Sequence, residues 1–266
     1  MSGNEHGRRV GLARALSKLG YCSRSQAAEL VRAGRVRLNG SVRKYPETPV
    51  RPERDRIAVG GRVIERAQRI YLMMNKPRGL VTTASDEKGR ETVYSILEKS
   101  EEALPWVGPV GRLDKASEGL LLLTNDSEWA ARVTEPESHV EKTYHVQIDR
   151  VADETMIQTI LGAVKFDDET LRARSCRLLR AGEKNSWLEI TLEEGKNRQI
   201  RRMLAALGVE VLRLVRVTIG PLQLGTLAKG SYRHLTESEK SMLDRAMRKK
   251  QFTTKITKSR EGKPNA

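Results

Sequence analysis

No apolar run in this chain approaches the ~18 residues that cross a bilayer, and the opening stretch from Met1 to Arg9 is polar, with no signal-peptide core. Cysteine is scarce. Cys22 and Cys176 lie far apart without C-x-x-C spacing, and the four histidines are scattered singly. A structural zinc site takes about four ligands, so no metal site is expected. Two thiols suit a reducing cytosol, although their number does not exclude a disulfide. The sequence also lacks a P-loop, G-x-G-x-x-G, H-E-x-x-H and G-x-S-x-G. Those absences argue against nucleotide-driven, dinucleotide, zinc-protease and serine-hydrolase chemistry. A soluble cytoplasmic protein with no membrane partner is expected.

Positive charge is in excess: 49 Lys and Arg stand against 34 Asp and Glu, a formal +15. It is spread unevenly. Residues 1–66 hold 15 basic and 6 acidic side chains, residues 67–244 hold 26 and 27, and residues 245–266 hold 8 and 1. At about 100–200 residues per domain, 266 residues suggest two. The charge places their boundaries at 66 and 244, with a basic, disordered tail beyond. A near-neutral body with basic appendages fits a polyanion partner, nucleic acid first.

The N-terminal segment is a small helical module. Leu12, Ala15, Leu16 and Leu19 form one apolar stripe that Gly20 ends. Ser23 and Gln26 make a capping box for a second helix, whose Ala27, Ala28, Leu30 and Val31 face inward until Gly34. Val36–Leu38, Asn39-Gly40 and a returning strand form a hairpin, and Ile57–Val59, Gly60-Gly61 and Arg62–Ile64 repeat the pattern. Arg14, Lys18, Arg24, Arg32, Arg35 and Arg37 decorate these elements. They read either as a solvated face or, given their density, as a surface for a nucleic-acid backbone. This arrangement resembles the S4 RNA-binding domain over roughly residues 8–62. The resemblance implies docking to structured RNA, typically ribosomal, and no chemistry.

The body reads differently. Ile70–Met74 is a short buried strand ended by Asn75-Lys76-Pro77, and Leu120–Leu123 is a fully apolar run suited to a central strand. Thr143–Ile148 and Ser186–Leu192 alternate with period two, residues 153–163 carry a helical stripe, and Arg198–Leu207 forms another helix. Without a repeated βαβ rhythm, the expected class is α+β with a mixed, mainly antiparallel sheet.

Three clusters carry candidate chemistry. In Val110-Gly111-Arg112-Leu113-Asp114-Lys115-Ala116-Ser117-Glu118-Gly119, a carboxylate in a turn is flanked by two cations and bracketed by two glycines. Such an aspartate can stay charged while shielded from water, as a nucleophilic carboxylate must. The plainer alternative is a loop or cap aspartate in a surface ion pair. The arginines of Asn197-Arg198-Gln199-Ile200-Arg201-Arg202-Met203 lie off the apolar stripe, so at least one can point into a cleft; an ordinary basic helix face is the alternative. Lys142-Thr143-Tyr144 offers a strand tyrosine, for packing or for a site.

The order of these pieces resembles the pseudouridine synthase family of the RsuA/RluB/RluE/RluF type, over residues 70–240, and an upstream S4 domain is usual there. The resemblance implies isomerisation of uridine to pseudouridine within RNA, without metal or cofactor. It implies that Asp114 is the catalytic aspartate, attacking the ribose C1′ or the uracil ring. Tyr144 is then the tyrosine that packs on the flipped base and assists proton removal from C5, and Arg201 the basic residue paired with the aspartate. Arg112 fills the space the flipped uridine leaves, and Lys142 and Arg198 contribute to substrate binding. The expected partner is ribosomal RNA or a pre-ribosomal particle, with the large subunit favoured, and the protein is expected to be a monomer. Two rivals remain at this point. A ribosome-assembly factor without turnover would have the same charge layout with a broken site position, and a DNA-binding regulator would need a recognition helix and a dimer seam.

Overall fold

The computed structural model describes residues 9–84, 86 and 88–247. The chain groups into two compact units. Of the described residues, the first takes those from 9 to 71 together with Ser100–Gly108 and Leu123–Ser127; the second takes those from 72 to 99, Pro109–Leu122 and those from 128 to 247.

The first unit contains β1 (Val10–Gly11), α1 (Leu12–Lys18), α2 (Arg24–Arg32), β2 (Val36–Leu38), β3 (Ser41–Arg43), β4 (Pro49–Val50), β5 (Ile57–Val59) and β6 (Arg62–Val63). An antiparallel sheet runs β3-β2-β5-β6, and β1 pairs with β4. The expected α1 stripe is buried throughout, and Gly20 stops the helix at φ +79°. The capping box forms: Ser23 Oγ accepts from the Gln26 amide at 3.2 Å, and Gln26 Oε1 accepts from the Ser23 amide at 3.1 Å. Asn39 and Gly40 both take positive φ, 51° and 85°, the turn whose twist suits a two-residue hairpin. Both helices and the sheet close over one core that includes Leu12, Leu16, Val31, Val36 and Ile57.

Segment 123–127 joins this unit through side chains that capture backbone. Asn125 Oδ1 accepts from the Ile70 amide at 3.0 Å and its Nδ2 donates to the Gln68 carbonyl at 2.7 Å. Thr124 Oγ1 donates to the Ile70 carbonyl at 2.6 Å. These partners stand more than fifty residues apart in sequence, so the charge-based boundary at 66 falls short of them.

The second unit contains β7 (Tyr71–Lys76), α3 (Tyr94–Glu98), β8 (Gly108–Val110), β9 (Glu118–Thr124), α4 (Ser127–Thr134), β10 (Lys142–Ile148), α5 (Glu154–Leu161), β11 (Val164–Phe166) and β12 (Glu169–Leu171). It continues through β13 (Ser175–Ala181), β14 (Ser186–Leu192), α6 (Gln199–Ala206), β15 (Val211–Ile219), β16 (Leu222–Gln223) and β17 (Tyr232–His234). A final helix, α7, covers residues 237–247. The spine of the large sheet is β13-β14-β10-β15-β9-β7-β17. Strands β13, β14, β10 and β15 pair antiparallel, while β9 runs parallel to β15. This is the expected α+β class with a mixed, mainly antiparallel sheet.

Strand β9 lies inside the sheet, which explains its apolar tetrad: Leu120, Leu121, Leu122 and Leu123 are each fully buried. Burying one such side chain is worth about 1.5–3 kcal/mol. On the β10 side, α5 and α6 set Ile157, Ile160, Ile200, Met203 and Leu204 against Val146, Leu188 and Ile190. Alternation along β10 therefore turns Tyr144, Val146 and Ile148 toward this core and Thr143, His145 and Gln147 to the opposite face.

Some expectations change. The strand read as ending at Asn75-Lys76-Pro77 runs through Asn75 and Lys76, and Lys76 is wholly buried. Helix α7 carries the folded body past residue 244 to 247; the rest of the expected tail lies outside the described residues. Both cysteines are free and buried, and burial pushes the Cys22 thiol up to about 11 and the Cys176 thiol up to about 12. No helix among the described residues is long and apolar enough to cross a membrane.

Candidate active site

A cleft of about 480 Å³ opens in the second unit beside the β8–β9 connection, lined among others by Arg112, Asp114, Lys142, Tyr144, Arg198 and Arg216. That volume falls within the range of small-ligand sites.

The loop that presents Asp114 is held by its carbonyls. Thr82 Oγ1 donates to Leu113 O at 2.7 Å, and the Gly79 amide donates to Lys115 O at 2.8 Å. Lys76 Nζ donates to Asp114 O at 3.1 Å and Ser117 O at 2.9 Å, and its third donor goes to Pro77 O at 3.1 Å. Arg201 Nη2 donates to Ala116 O at 3.2 Å. Every carbonyl from Leu113 to Ser117 is thus occupied, and the Asp114 side chain is left half-exposed at the cleft. A loop tied down on its backbone side has few ways to move its carboxylate.

Burial lowers the Lys76 ammonium to about 8, with Arg216 adding to the shift and Asp114 and Glu118 opposing it. Glu118, one residue past the loop, is buried. Burial pushes its carboxyl up, but hydrogen bonds from Lys229 and Arg213 outweigh that and hold it below the usual range. The loop ends at Gly119, at φ +100° beside the β15 backbone. A Cβ there would lie 2.3 Å from Arg216 O and 2.8 Å from Arg216 N. Gly119→Ala is expected to cost on the order of 3 kcal/mol, because backbone cannot step aside as a side chain can. The urea midpoint of the purified variant measures this, and an unchanged midpoint would contradict the close strand contact.

The three arginines of the second cluster diverge. Arg198 Nη1 lies 3.5 Å from Asp114 Oδ2 and makes the ion pair. Arg198 precedes α6 in the left-handed region, φ 48° and ψ 33°, rather than sitting in the helix as its periodicity suggests. Such a conformation costs a non-glycine residue about 1–3 kcal/mol and concentrates at functional positions. Arg201, expected to pair with Asp114, instead serves backbone: Nη1 donates to Val211 O and Nη2 to Ala116 O, both at 3.2 Å. Asp114 still acts on its charge at longer range, against burial and the like charge of Arg198. The helical wheel shows which way Arg201 faces, but not that two carbonyls reach it first. Arg202 points elsewhere, pairing with Glu169 at 2.9 Å over the Phe166 ring.

Tyr144 is half-buried at the cleft, packed against the core, and its hydroxyl has no protein partner among the described residues. Lys142, two residues earlier on the same face, also lines the cleft; burial and then Arg216 push its ammonium down to about 8. Arg112 is exposed on the cleft lining. In the first unit Arg14, Arg24, Arg32, Arg35 and Arg37 are exposed and Lys18 is partly covered. The structure brings Asp114, Tyr144, Arg198, Lys142 and Arg112 to one cleft. Sequence reasoning missed Lys76, Thr82 and Arg216. The available signals were a lysine inside an apolar strand and an arginine breaking the apolar run of β15. Among the described residues, no three His, Cys, Asp or Glu side chains gather as a metal site.

Comparison with known proteins gives this cleft a family. The RNA pseudouridylate synthase model matches residues 70–206, which span the Asp114 loop, β10 and α6. The chain belongs to that family. Its N-terminal unit matches the S4 domain over residues 10–57. The chain is 35% identical over 233 residues to an uncharacterised RNA pseudouridine synthase of Aquifex aeolicus, covering 87% of this chain and 92% of that protein. It is 33% identical over 230 residues to ribosomal large subunit pseudouridine synthase B of Bacillus subtilis, covering 86% and 93%. The crystal structure of a pseudouridylate synthase aligns at TM-score 0.61 and 30% identity, over 88% of this chain and 99% of that one. Pseudouridine synthases are isomerases that act on uridine in RNA, and RNA is therefore the substrate class of this chain.

Proposed function

We propose that this chain isomerises uridine to pseudouridine in ribosomal RNA, large-subunit RNA first, with Asp114 as the catalytic carboxylate. The observation that carries this reading is the Asp114 loop: five consecutive carbonyls are held and one carboxylate is left facing a nucleotide-sized cleft beside Tyr144. The likeness to a large-subunit enzyme over most of both chains supports the choice of RNA. A base within a stacked helix is out of reach, so the target uridine is extruded into the cleft at a cost of a few kcal/mol, offset by stacking and phosphate contacts. Tyr144 packs on the extruded base, Arg198 holds Asp114 in place, and Arg112 and Lys142 meet the substrate. Asp114 attacks the ribose C1′ or the uracil ring. The N1–C1′ bond breaks, the ring turns and C5 joins C1′; as an isomerisation, the reaction needs no co-reactant.

The first unit is the docking module, the second the catalytic body, and the protein works as a monomer in the cytoplasm on ribosomal RNA or a pre-ribosomal particle. Pseudouridine mapping of ribosomal RNA from cells lacking the gene tests the reaction. One uridine left unmodified names the target, whereas a full complement of pseudouridine in those cells refutes the ribosomal assignment. Docking makes a separate prediction. Changing Arg14, Arg24, Arg32 and Arg35 to Ala together is expected to weaken RNA binding and reduce the slope of log affinity against log salt by about 3, since each lost phosphate contact removes a little under one released ion. An unchanged slope would remove those arginines from the RNA surface.

A further inference from the structure

At the cleft a deeply buried arginine has hydrogen-bonding capacity to spare. Arg216 on β15 is 5% exposed and lines the cleft with Asp114, Lys142 and Tyr144. Its Nε donates to the Leu120 carbonyl at 2.7 Å, while its Nη2 is buried with no hydrogen-bond partner. No carboxylate among the described residues forms an ion pair with it. A buried guanidinium left with an unused donor is costly, and such a cost calls for an explanation. A ligand that completes the hydrogen bonding supplies one.

Its place on the sheet indicates the ligand. Arg216 and Tyr144 are direct cross-strand partners, so their side chains rise side by side from one face, about 5 Å apart at Cβ. A planar base lying on the Tyr144 ring therefore presents an edge to the guanidinium. Arg112, Lys115 and Arg198 are solvent-exposed and suit hydrated phosphates. Arg216 is buried, where a partly dehydrated carbonyl fits better than a phosphate.

We propose that Arg216 is a catalytic residue whose guanidinium donates to a carbonyl oxygen, O2 or O4, of the target uracil and stabilises the negative charge that builds there. This rests on the reading above that the cleft turns uridine over. The charge arises by either route. If the N1–C1′ bond breaks as Asp114 takes C1′, the electron pair stays on the ring and spreads from N1 onto O2 and O4. If Asp114 adds at C6, the pair moves through C5 onto O4. On the first route C5 bonds to C1′ and displaces Asp114 as its carboxylate; on the second the N1–C1′ bond breaks, C5 bonds to C1′ and Asp114 leaves C6 as its carboxylate. In both cases C5 gives up its proton and N1 ends protonated, so atoms and electrons balance. A fixed, dehydrated donor aimed where charge develops stabilises a transition state without reorganising. The unneutralised charge of Arg216 is also felt by its neighbours, adding to the effect of burial on Lys142 and Lys76.

The test uses the full chain, with Arg216→Gln and Arg216→Lys, on large-subunit ribosomal RNA transcribed with uridine, 2-thiouridine or 4-thiouridine. Sulfur is the weaker hydrogen-bond acceptor. On uridine RNA the Gln variant is expected to lose on the order of 10²–10³-fold in single-turnover rate with RNA affinity nearly unchanged, and the Lys variant to recover part of the loss. On the thio-RNA whose sulfur replaces the contacted oxygen, the ratio of wild-type to Gln-variant rates is expected to shrink to under about tenfold. A merely structural role would lower all three substrates alike. Equal ratios on all three RNAs, or full activity of Arg216→Gln on uridine RNA, overturns the proposal. Wild-type protein inactive on uridine RNA and on ribosomal RNA from cells lacking the gene overturns instead the reading on which it rests.

Discussion

Purified Asp114→Asn is expected to form no measurable pseudouridine, a loss on the order of 10⁴-fold or more, while binding RNA nearly as well as the wild type. The substitution keeps the size of the side chain and replaces the carboxylate by a neutral amide, a poor nucleophile. The loop survives it because the loop is held through its carbonyls by Lys76, Thr82, the Gly79 amide and Arg201, none of which touches the Asp114 carboxylate. The Arg198 contact at 3.5 Å spans side chains that are 51% and 35% exposed, so losing it costs little stability. Single-turnover assays with RNA binding measured in parallel decide the matter. Residual turnover within tenfold of wild type would remove Asp114 from the chemistry, and a matching loss of RNA affinity would make it a binding residue.

Lys76→Met is expected to destabilise the protein by about 2–4 kcal/mol, because three carbonyls lose a charged donor in a place water does not reach. Turnover is expected to fall roughly 10- to 100-fold, since freeing the Asp114 and Ser117 carbonyls lets the carboxylate drift from its place at the cleft. A pH dependence follows. The Lys76 ammonium is held down to about 8 in the folded protein against 10.5 normally. Between those values the unfolded chain binds the proton and the folded chain does not, so this group makes the wild type more stable as pH rises. The stability gap between wild type and Lys76→Met should widen from pH 7 to about pH 9.5. Urea unfolding at the two pH values measures it, and a gap that narrows would mean that Lys76 is not buried with its charge.

Local patterning made much of the first unit legible. Two apolar stripes, the Ser23–Gln26 capping box, and the Asn39-Gly40 and Gly60-Gly61 turns are all short-range devices, and each forms where periodicity and turn chemistry place it. The same holds for the apolar tetrad, whose four consecutive leucines require cover on both faces and lie inside the sheet. Boundaries that depend on distant partners were not legible. The extent of the first unit is set by Asn125 and Thr124 reaching back to residues 68–70, and nothing near residue 66 signals that capture.

By itself the sequence determined the class of fold, the division of charge and the loop that carries Asp114, because these rest on spacing and composition within one stretch of chain. Only the tertiary structure decided who partners whom around that loop. It gave the aspartate's ion pair to Arg198, turned Arg201 to the Ala116 and Val211 carbonyls, buried Lys76 beneath the Asp114 turn and left Arg216 Nη2 with no partner among the described residues beside Tyr144. The physical reason is that a cation's partner is whichever acceptor the fold brings within about 3 Å. Helical and strand periods state only the direction in which a side chain sets out.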